Sequence, residues 1–559
     1  MSVKVDLLNG IKQVNETISS TELIEDSNIV IFDDLAKDIE QFKVYLPLVG
    51  NFNAGKSSIL NTLLEEDELF PTDIVPETAI ATEILFSTDE RVEAYNFEND
   101  KLIDSFDSLV ELKDRDIEKY GYLKVYKNKE FLSKNQDIIL VDMPGLDSNI
   151  ERHNSQILNY VKKDGISFIA VIDIDDGVIK DTTLRFIEEI NSYKLDFFVL
   201  INKIDKKTLS EVTKIQESIF NQLSRYTDTP FIGLVSTFDE KLDDVRYIIK
   251  NINKDNYLKK SFIDKLSFNI YKLIQDLRVR RSSIQMDTSE IDKRIEEFLD
   301  GVKELDKTLS FEKNRIENEF STHTIVKIQD EIKISLDNNL DRLLNALQTS
   351  EENFKATVND VIRPIIIKSL QEYTEEEFAI TIGHLEVSTS DIFSDISEFF
   401  DKSMTTLTAV GEVVKEAPLL LKIPMLANIL NFVLTKVNPL VLSISAVVAV
   451  INAYFGKSKE EKEQEAYEQM RENIKNNVIP NIIIQLQETI EELLDNTKEE
   501  FFKAIEESIE VQKNELLNSI EKAKEEKEMY KDKINKKLEE FNQVIETLET
   551  NREFFDKLK

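Results

Sequence analysis

The residues with the clearest chemical potential form a short loop between positions 50 and 57. There the sequence reads Gly-Asn-Phe-Asn-Ala-Gly-Lys-Ser and fits the phosphate-binding pattern G-x-x-x-x-G-K-[ST]. The two glycines let the backbone curl so that successive N–H groups point at phosphate oxygens, and the following helix adds the partial positive charge of its N-terminus. Lys56 supplies a full charge to the β- and γ-phosphates, and Ser57 places a hydroxyl on Mg²⁺. The predicted phosphate-binding residues are Gly50, Asn51, Asn53, Ala54, Gly55, Lys56, Ser57 and Ser58.

A second loop, Asp142-Met143-Pro144-Gly145, is predicted to complete the phosphate and metal site. It follows the apolar run 138–141, so a strand delivers Asp142 to the edge where ligands bind in open parallel sheets. An aspartate there can hold Mg²⁺ through water, and Gly145 leaves its backbone N–H free to approach the γ-phosphate.

A threonine between these two loops is predicted to close over the γ-phosphate and Mg²⁺. The segment 76–82 contains Thr78 and Thr82, and we favour Thr78 because Thr82 lies inside the following strand run. The predicted metal ligands are therefore Ser57, Thr78 and Asp142. The alternative is that neither threonine touches the nucleotide.

A third group of residues is predicted to select the base. An apolar run ends at Asn202-Lys203-Ile204-Asp205, and the last run ends at Val235-Ser236-Thr237. The Asp205 carboxylate can accept hydrogen bonds from guanine N1–H and the N2 amine, a donor pair that adenine lacks, so this loop favours GTP over ATP. Asn202 can brace the loops, the stem of Lys203 can cover the base, and Ser236 and Thr237 can give it a backbone contact.

The elements that position these loops follow from hydrophobic patterning. Short apolar runs alternate with stretches of helical length, which predicts an α/β domain with a mostly parallel sheet. Pro47 lies inside the first run and lacks a donor, so we expect a local irregularity there. The runs are Val44–Val49, Ala81–Phe86, Ile138–Val141, Phe168–Ile172, Phe197–Ile201 and Phe231–Val235.

After about residue 250 the pattern becomes helical. Apolar residues step by 4 and 3 from Ile291 to Leu309 and from Ile534 to Leu548. A packed bundle and a long antiparallel stalk both fit, and the scarcity of Gly (12) and Pro (10) favours the stalk. Pro364 and Pro480 should each kink or end a helix. We predict N-terminal helices over 1–43, a nucleotide-binding domain over 44–250, neck and trunk helices over 251–407, an apolar tip over 408–459 and returning helices over 460–559.

The apolar tip is the other feature with functional content. Residues 437–456 are 20 uncharged residues, about the length that crosses a bilayer. Pro424 and Pro439 divide the region and favour a hairpin that dips into the membrane interface; a transmembrane hairpin and a tip buried against protein are the alternatives. Over 408–459 there are five lysines and two glutamates, which suits anionic lipid. The candidate lipid-contacting residues are Leu440, Val441, Leu442, Val447, Val448, Ile451 and Phe455.

Composition excludes several other classes of function. Lys and Arg number 70 against 107 Asp and Glu, a net charge of −37, which disfavours nucleic-acid binding. Cysteine is absent, and the three histidines have no metal-ligand spacing, so disulfides, zinc–thiolate sites and cysteine nucleophiles are excluded. The first residues lack the apolar core of a signal peptide, so we expect a cytoplasmic protein, peripheral at a membrane.

Together, the motifs at 50–58, 76–82, 142–145 and 202–205 resemble those of dynamin-superfamily GTPases. The N-terminal helices, helical remainder and apolar insert resemble bacterial dynamin-like proteins in particular, including the LeoA type, and the related mitofusins. The resemblance implies that Lys56, Ser57, Thr78 and Asp142 bind phosphate and Mg²⁺ and that Asn202, Lys203 and Asp205 bind guanine. It also implies pairing of GTPase domains, with further copies of the chain in a dimer or nucleotide-dependent oligomer, or with a related GTPase.

One departure from the dynamin pattern bears on catalysis. Phe52 and Asn53 stand where eukaryotic dynamins carry Gln and Ser, so no glutamine is available there to position water. Asn53 resembles the asparagine of potassium-stimulated GTPases, whose side-chain oxygen helps hold K⁺ near the phosphates; ordinary loop hydrogen bonding is the alternative. The candidate catalytic residues are Asn53, Lys56, Ser57 and Thr78.

The sequence thus favours a GTP-hydrolysing, membrane-binding or membrane-remodelling protein. One alternative is a GTP-gated helical scaffold or secretion-associated factor with little hydrolysis. The other is a nucleotide-regulated pore component, which only the apolar hairpin suggests.

Overall fold

The chain divides into two compact units, residues 41–258 and residues 1–40 with 259–559. The structure is a computed structural model. It describes residues 2–66, 69, 80–96, 100–115, 119–146, 160–161, 163, 165–192, 195–227, 230–285, 288–317, 321–397, 467–529 and 533–559.

The first unit is built on a nine-stranded sheet with the order β4-β3-β5-β2-β6-β1-β7-β8-β9. Strands β6, β1, β7, β8 and β9 run parallel to one another, whereas β2 is antiparallel to β6 and parallel to β5. The strands are β1 (Val44–Val49), β2 (Ala81–Phe86), β3 (Arg91–Tyr95), β4 (Leu102–Phe106), β5 (Tyr122–Lys127), β6 (Ile138–Asp142), β7 (Ser167–Asp173), β8 (Asp196–Asn202) and β9 (Ile232–Leu234).

Helices connect β7 to β8 and β8 to β9, as the sequence pattern predicts. Because the central strands β6, β1, β7 and β8 are parallel neighbours, the loops after all four begin at one edge of the sheet. The α/β fold class predicted from the sequence is therefore confirmed. The α-helices among the described residues of this unit are Lys56–Leu64, Glu130–Lys134, Asp181–Ser192, Leu209–Leu223 and Asp243–Asn251.

The irregularity expected at Pro47 is present in the ladder between β1 and β7. Tyr45 forms a bridge with Ile166, and regular pairing with β7 resumes only at Leu48 and Val49. The gap spans Pro47, which has no N–H to donate. On its other side β1 pairs with β6 from Val44 to Leu48.

The second unit is helical in the residues that the structure describes, which confirms the long helical region. Its apolar stripes are buried: Val302, Leu305 and Leu309 in one helix, and Phe541 and Leu548 in another, are each less than 10% exposed. The helices are α1 (Val3–Ser19), α2 (Ser27–Gln41), Lys254–Gln285, Thr288–Arg315, Ser321–Asn338, Leu340–Thr349, Glu351–Ser397, Tyr467–Asn473, Ile479–Met529 and Ile534–Leu558.

The residues from about 300 to 397 form several helices and not one continuous helix. Helix Glu351–Ser397 packs against Thr288–Arg315 and Ser321–Asn338, so the chain turns back between them. Ser350 makes the turn because its backbone is extended and its hydroxyl accepts a hydrogen bond from the Asn353 N–H at 3.0 Å.

The two prolines behave differently. Pro364 lies inside the continuous helix Glu351–Ser397, so it does not end that helix. Pro480 is the second residue of helix Ile479–Met529, which begins directly after a π-helical turn, Ile474–Val478. Because proline has no N–H to donate, Pro480 accounts for the local change in the helical hydrogen-bond pattern.

The N-terminal helix belongs to the helical unit. Helix α1 packs on Ile534–Leu558 so closely that a Cβ on Gly10 would lie 2.5 Å from the Phe555 ring. Arg280, almost fully buried, donates to the Leu23 carbonyl and pairs with Asp276 and Glu526. The region 1–40 is thus fastened to helices from both ends of the helical unit.

The predicted apolar tip at 408–459 lies outside the described residues. No helix in the described part of the chain is both long enough and apolar enough to cross a membrane.

Candidate functional site

The loop 50–57 joins β1 to the helix Lys56–Leu64 and depends on two glycines. Gly50 has φ 153°, and a Cβ there would lie 2.3 Å from the carbonyl oxygen of Val171 on the neighbouring strand β7. Gly55 has φ 90°, and its Cβ would lie 2.2 Å from Nδ2 of Asn202. Because these close contacts are with backbone and with a buried amide, a side chain at either position would displace the loop.

Lys56 is held inside this loop. Its ammonium donates to the carbonyl oxygens of Gly50 at 3.0 Å and Asn51 at 3.2 Å, and the residue is 6% exposed. The loop therefore encloses one fixed positive charge at the N-terminus of a helix, which is the electrostatic environment that a phosphate requires.

Ser57 and Asp142 meet at the carboxyl end of β6. The Ser57 hydroxyl donates to Asp142 Oδ2 at 2.7 Å, while Asp142 Oδ1 is buried and has no hydrogen-bond partner among the described residues. Burial raises the pKa of Asp142 to about 6, and Lys56 and the Ser57 hydroxyl partly oppose that shift.

These two residues fit a magnesium ion. A hydroxyl and a carboxylate are the hard oxygen donors that Mg²⁺ prefers, and the unpartnered Oδ1 would gain a metal-bound water as its donor. The predicted third ligand, Thr78, lies outside the described residues.

Gly145 contacts the phosphate loop from the β6 side. A Cβ at Gly145 would lie 3.2 Å from the Phe52 backbone nitrogen, and the Leu146 N–H donates to the Gly50 carbonyl at 3.0 Å. The loop 142–146 is thus packed directly on the phosphate loop, as the motif order predicts.

The base-recognition residues gather at the ends of β8 and β9. Asn202, fully buried, donates to the Ala54 carbonyl at 3.0 Å and so connects this loop to the phosphate loop. The Ser236 hydroxyl donates to Asp205 Oδ1 at 2.6 Å and fixes the orientation of the carboxylate. Thr237, half-buried, begins the turn beside Ser236.

Lys203 connects the base loop to the phosphate loop through its side chain. Its backbone is left-handed at φ 64°, and its ammonium donates to the Asn53 carbonyl at 2.5 Å and to Asp173 at 2.6 Å. Asn53 is also left-handed at φ 64°, a conformation that asparagine tolerates. Within the described residues its side chain makes no hydrogen bond, so the amide oxygen is available.

The structure therefore brings together the predicted residues of all three loops, apart from Thr78. Ser58 also lies beside them, in the first turn of the helix Lys56–Leu64. Their binding roles stay predictions.

Sequence reasoning missed three residues that support these loops. Thr182 and Thr183 donate their hydroxyls to Asn51 Oδ1 at 2.9 and 3.1 Å, which ties the phosphate loop to the helix Asp181–Ser192. Asp173 pairs with Lys203. Asp173 could have been found, because it ends an apolar run at the same sheet edge, whereas nothing in the sequence marks the two threonines.

The nucleotide-binding loops lie within a region that matches a known protein family. Residues 46–204 match the model described as the Dynamin family. The match covers the phosphate loop, the loop after β6 and the start of the base loop.

Relatives show the same local similarity. The chain is 23% identical over 227 residues to an uncharacterized protein in the xynA 3′ region of Caldicellulosiruptor sp. (strain Rt8B.4), covering 40% of this chain and 55% of that protein. It is 24% identical over 241 residues to the tRNA modification GTPase MnmE of Mycoplasmopsis synoviae (strain 53), covering 39% and 48%. The chain thus spans about half the length of these relatives.

One solved structure aligns over most of the chain. It is described as an oligomerised bacterial dynamin pair that provides a mechanism for the long-range sensing and tethering of membranes. The alignment covers 94% of this chain and 91% of that one, with 16% identity and a TM-score of 0.31.

Proposed function

Because residues 46–204 carry a dynamin-family GTPase domain, we propose that this chain is a dynamin-like enzyme. It binds GTP with Mg²⁺, hydrolyses it to GDP and phosphate, and binds or remodels membranes through residues 408–459. Hydrolysis is coupled to pairing of GTPase domains, with a second copy or a related GTPase.

One observation carries the catalytic part of the proposal. The enclosed Lys56, the Ser57–Asp142 pair and the Ser236-oriented Asp205 lie on loops that contact one another at a single sheet edge. A cation, a hard-oxygen metal site and a double acceptor for guanine are the three recognition elements that Mg²⁺·GTP needs.

Each residue has a defined task in this proposal. Lys56 exchanges its carbonyl partners for the β- and γ-phosphate oxygens, and the loop N–H groups bind the remaining oxygens. Ser57, Thr78 and Asp142 hold Mg²⁺, which when bound neutralises charge that develops on the phosphates. Gly145 offers its N–H to the γ-phosphate, and the amide oxygen of Asn53 helps seat K⁺.

The membrane part rests on the apolar tip and its charge. Residues 408–459 carry five lysines and two glutamates on a chain whose net charge is −37. A basic, apolar segment is attracted to anionic lipid that repels the rest of the chain. Membrane contact is therefore peripheral and local to the tip.

Steady-state hydrolysis of GTP over a range of protein concentrations tests this function, with and without anionic liposomes. We expect turnover per molecule to rise with concentration and with lipid, and Lys56→Ala to abolish it. GTP binding without turnover would favour the scaffold alternative, and no GTP binding would reject the proposal.

A further inference from the structure

A buried acid, Glu83, lies on the sheet close to the proposed site but has no task in it. It is 1% exposed, and its Oε2 is buried without a hydrogen-bond partner among the described residues. In β2, Thr82 lies opposite Asp142 and Glu83 opposite Val141. Because side chains alternate along a strand, Glu83 points to the sheet face opposite that of Asp142.

The other oxygen of Glu83 has a specific partner. The Tyr160 hydroxyl donates to Oε1 at 3.0 Å, and Tyr160 is fully buried. The Tyr160 ring also packs edge-on against Tyr45 of β1, with ring centroids 6.1 Å apart. This hydrogen bond and this aromatic contact both hold Tyr160 on the sheet.

Nearby cations do not neutralise the acid. Lys163 lies over the rings of Tyr45 and Tyr122, 5.2 and 5.8 Å from their centroids, and Glu83 forms no ion pair within the described residues. Burial raises the pKa of Glu83, although Lys163 and Lys124 oppose the shift, and burial likewise raises the pKa of Tyr160. The contact is thus a phenol hydroxyl that donates to a buried carboxyl group.

A carboxyl is a costly choice for this position. Apolar groups of similar shape in place of both the Glu83 carboxyl and the Tyr160 hydroxyl would avoid the desolvation of two polar groups and the unpartnered oxygen. What the polar pair offers instead is a directional contact that fixes one arrangement of its two chain segments.

The contacts of the pair span the strand that carries Asp142. Strand β6 lies between β2, which holds Glu83, and β1, whose Tyr45 packs on Tyr160. Within β2, the residue before Glu83 is Thr82, which lies opposite Asp142. Since Asp142 is proposed to hold Mg²⁺ at the phosphates, contacts that fix the two strands beside it also fix the strand end that carries this ligand.

We propose that Glu83 and Tyr160 are positioning residues that hold β2 and β1 in place on either side of the β6 end that carries Asp142, for γ-phosphate recognition and hydrolysis. The inference rests on the proposed function. It adds two residues that contact neither nucleotide nor metal, and it requires their hydrogen bond rather than their bulk.

Kinetics of four full-length variants test this. Tyr160→Phe and Glu83→Leu should each lower kcat on the order of tenfold to a hundredfold, the cost of small misplacements, while KM for GTP changes less than about twofold. Glu83→Gln should retain most of the activity because its amide oxygen still accepts from Tyr160. The double variant Glu83→Leu/Tyr160→Phe should be no slower than either single variant, because both remove one interaction.

Tyr120→Phe is the matched control. Tyr120 is also buried, but its hydroxyl donates to Asp104, so kcat should stay close to wild type. Equal kcat in Tyr160→Phe and wild type, independent losses in the double variant, or a Glu83→Gln variant as slow as Glu83→Leu would each overturn the proposal. Thermal melts identify variants that lose activity only through unfolding, and such a loss also counts against positioning.

The wild-type rate separates this inference from the proposed function. If the wild type binds GTP but does not hydrolyse it, the proposed GTPase activity is wrong. The role of Glu83 and Tyr160 is then tested by nucleotide binding. The ratio of affinities for a non-hydrolysable GTP analogue and GDP, measured by calorimetry with Mg²⁺, should then shrink in Tyr160→Phe and be retained in Glu83→Gln. An unchanged ratio in Tyr160→Phe overturns the inference.

Discussion

Replacing Asp205 by asparagine removes one of the two acceptors proposed for guanine. In the structure Asp205 Oδ1 already accepts from the Ser236 hydroxyl at 2.6 Å, so the carboxylate is oriented before a base arrives. An amide presents one oxygen and one NH₂, and the NH₂ would face a guanine donor. Losing a hydrogen bond to a charged group costs ~2–3 kcal/mol, which corresponds to a Kd for GTP raised about 30- to 150-fold.

Calorimetry with Mg²⁺ and GTP, and then with xanthosine triphosphate, measures this effect. Xanthine carries a carbonyl where guanine carries its amine, so Asp205→Asn should bind xanthosine triphosphate better than wild type does. Asp175→Asn is the matched control, because that carboxylate pairs with Lys206 and Lys207, directly after Asp205, and has no proposed contact with guanine. Unchanged GTP affinity in Asp205→Asn, or an equal loss in Asp175→Asn, would refute the assignment of the base.

Three further changes probe other parts of the molecule. If Asn53 helps seat a cation, hydrolysis should be faster in K⁺ than in Na⁺ at equal ionic strength and Asn53→Ala should erase the difference; equal native rates in both salts would contradict this. Because burial raises the pKa of Asp142 from 3.8 to about 6, the unliganded protein should lose up to ~3 kcal/mol of unfolding free energy as pH rises from about 4 to 6. Mg²⁺ affinity should fall as pH drops below about 6, and neither trend should remain in Asp142→Asn when followed by thermal melts and calorimetry. Replacing Leu442 and Val448 by Asp should remove flotation with anionic liposomes and leave GTP affinity unchanged, since each buried apolar side chain contributes ~1.5–3 kcal/mol; a thermal destabilisation without lipid would indicate a folded core instead.

Sequence alone located the loops well because of one rule. Parallel strands bring their carboxyl ends to one edge, so the polar residues after 49, 141 and 201 had to meet there. Pro47 was informative for an equally local reason, the missing N–H. Where one residue restricts the backbone directly, as Pro47 does, the sequence is sufficient to predict the local structure.

The sequence was insufficient to predict contacts between elements that are far apart in the chain. The short apolar run Ala81–Phe86 identifies β2 as a strand but does not show that it runs antiparallel to β6. The hydrogen bonds of Thr182 and Thr183 to Asn51, and of Tyr160 to Glu83, join residues that are far apart in the chain. At Ser350 a polar residue inside a helical pattern reverses the chain, and the pattern on each side continues as if it did not.

The position of β2 inside the sheet also has a mechanical consequence. It pairs with β5 from Ala81 to Phe86 on one side and with β6 from Thr82 to Ile84 on the other. A pull on residue 80 along the strand axis would load the hydrogen bonds of both ladders together, in shear, instead of peeling them apart one after another. Bonds that share a load yield at higher force than bonds that break in sequence. Strand β2 should therefore resist stretching and pass a displacement at its first residue to β5 and β6.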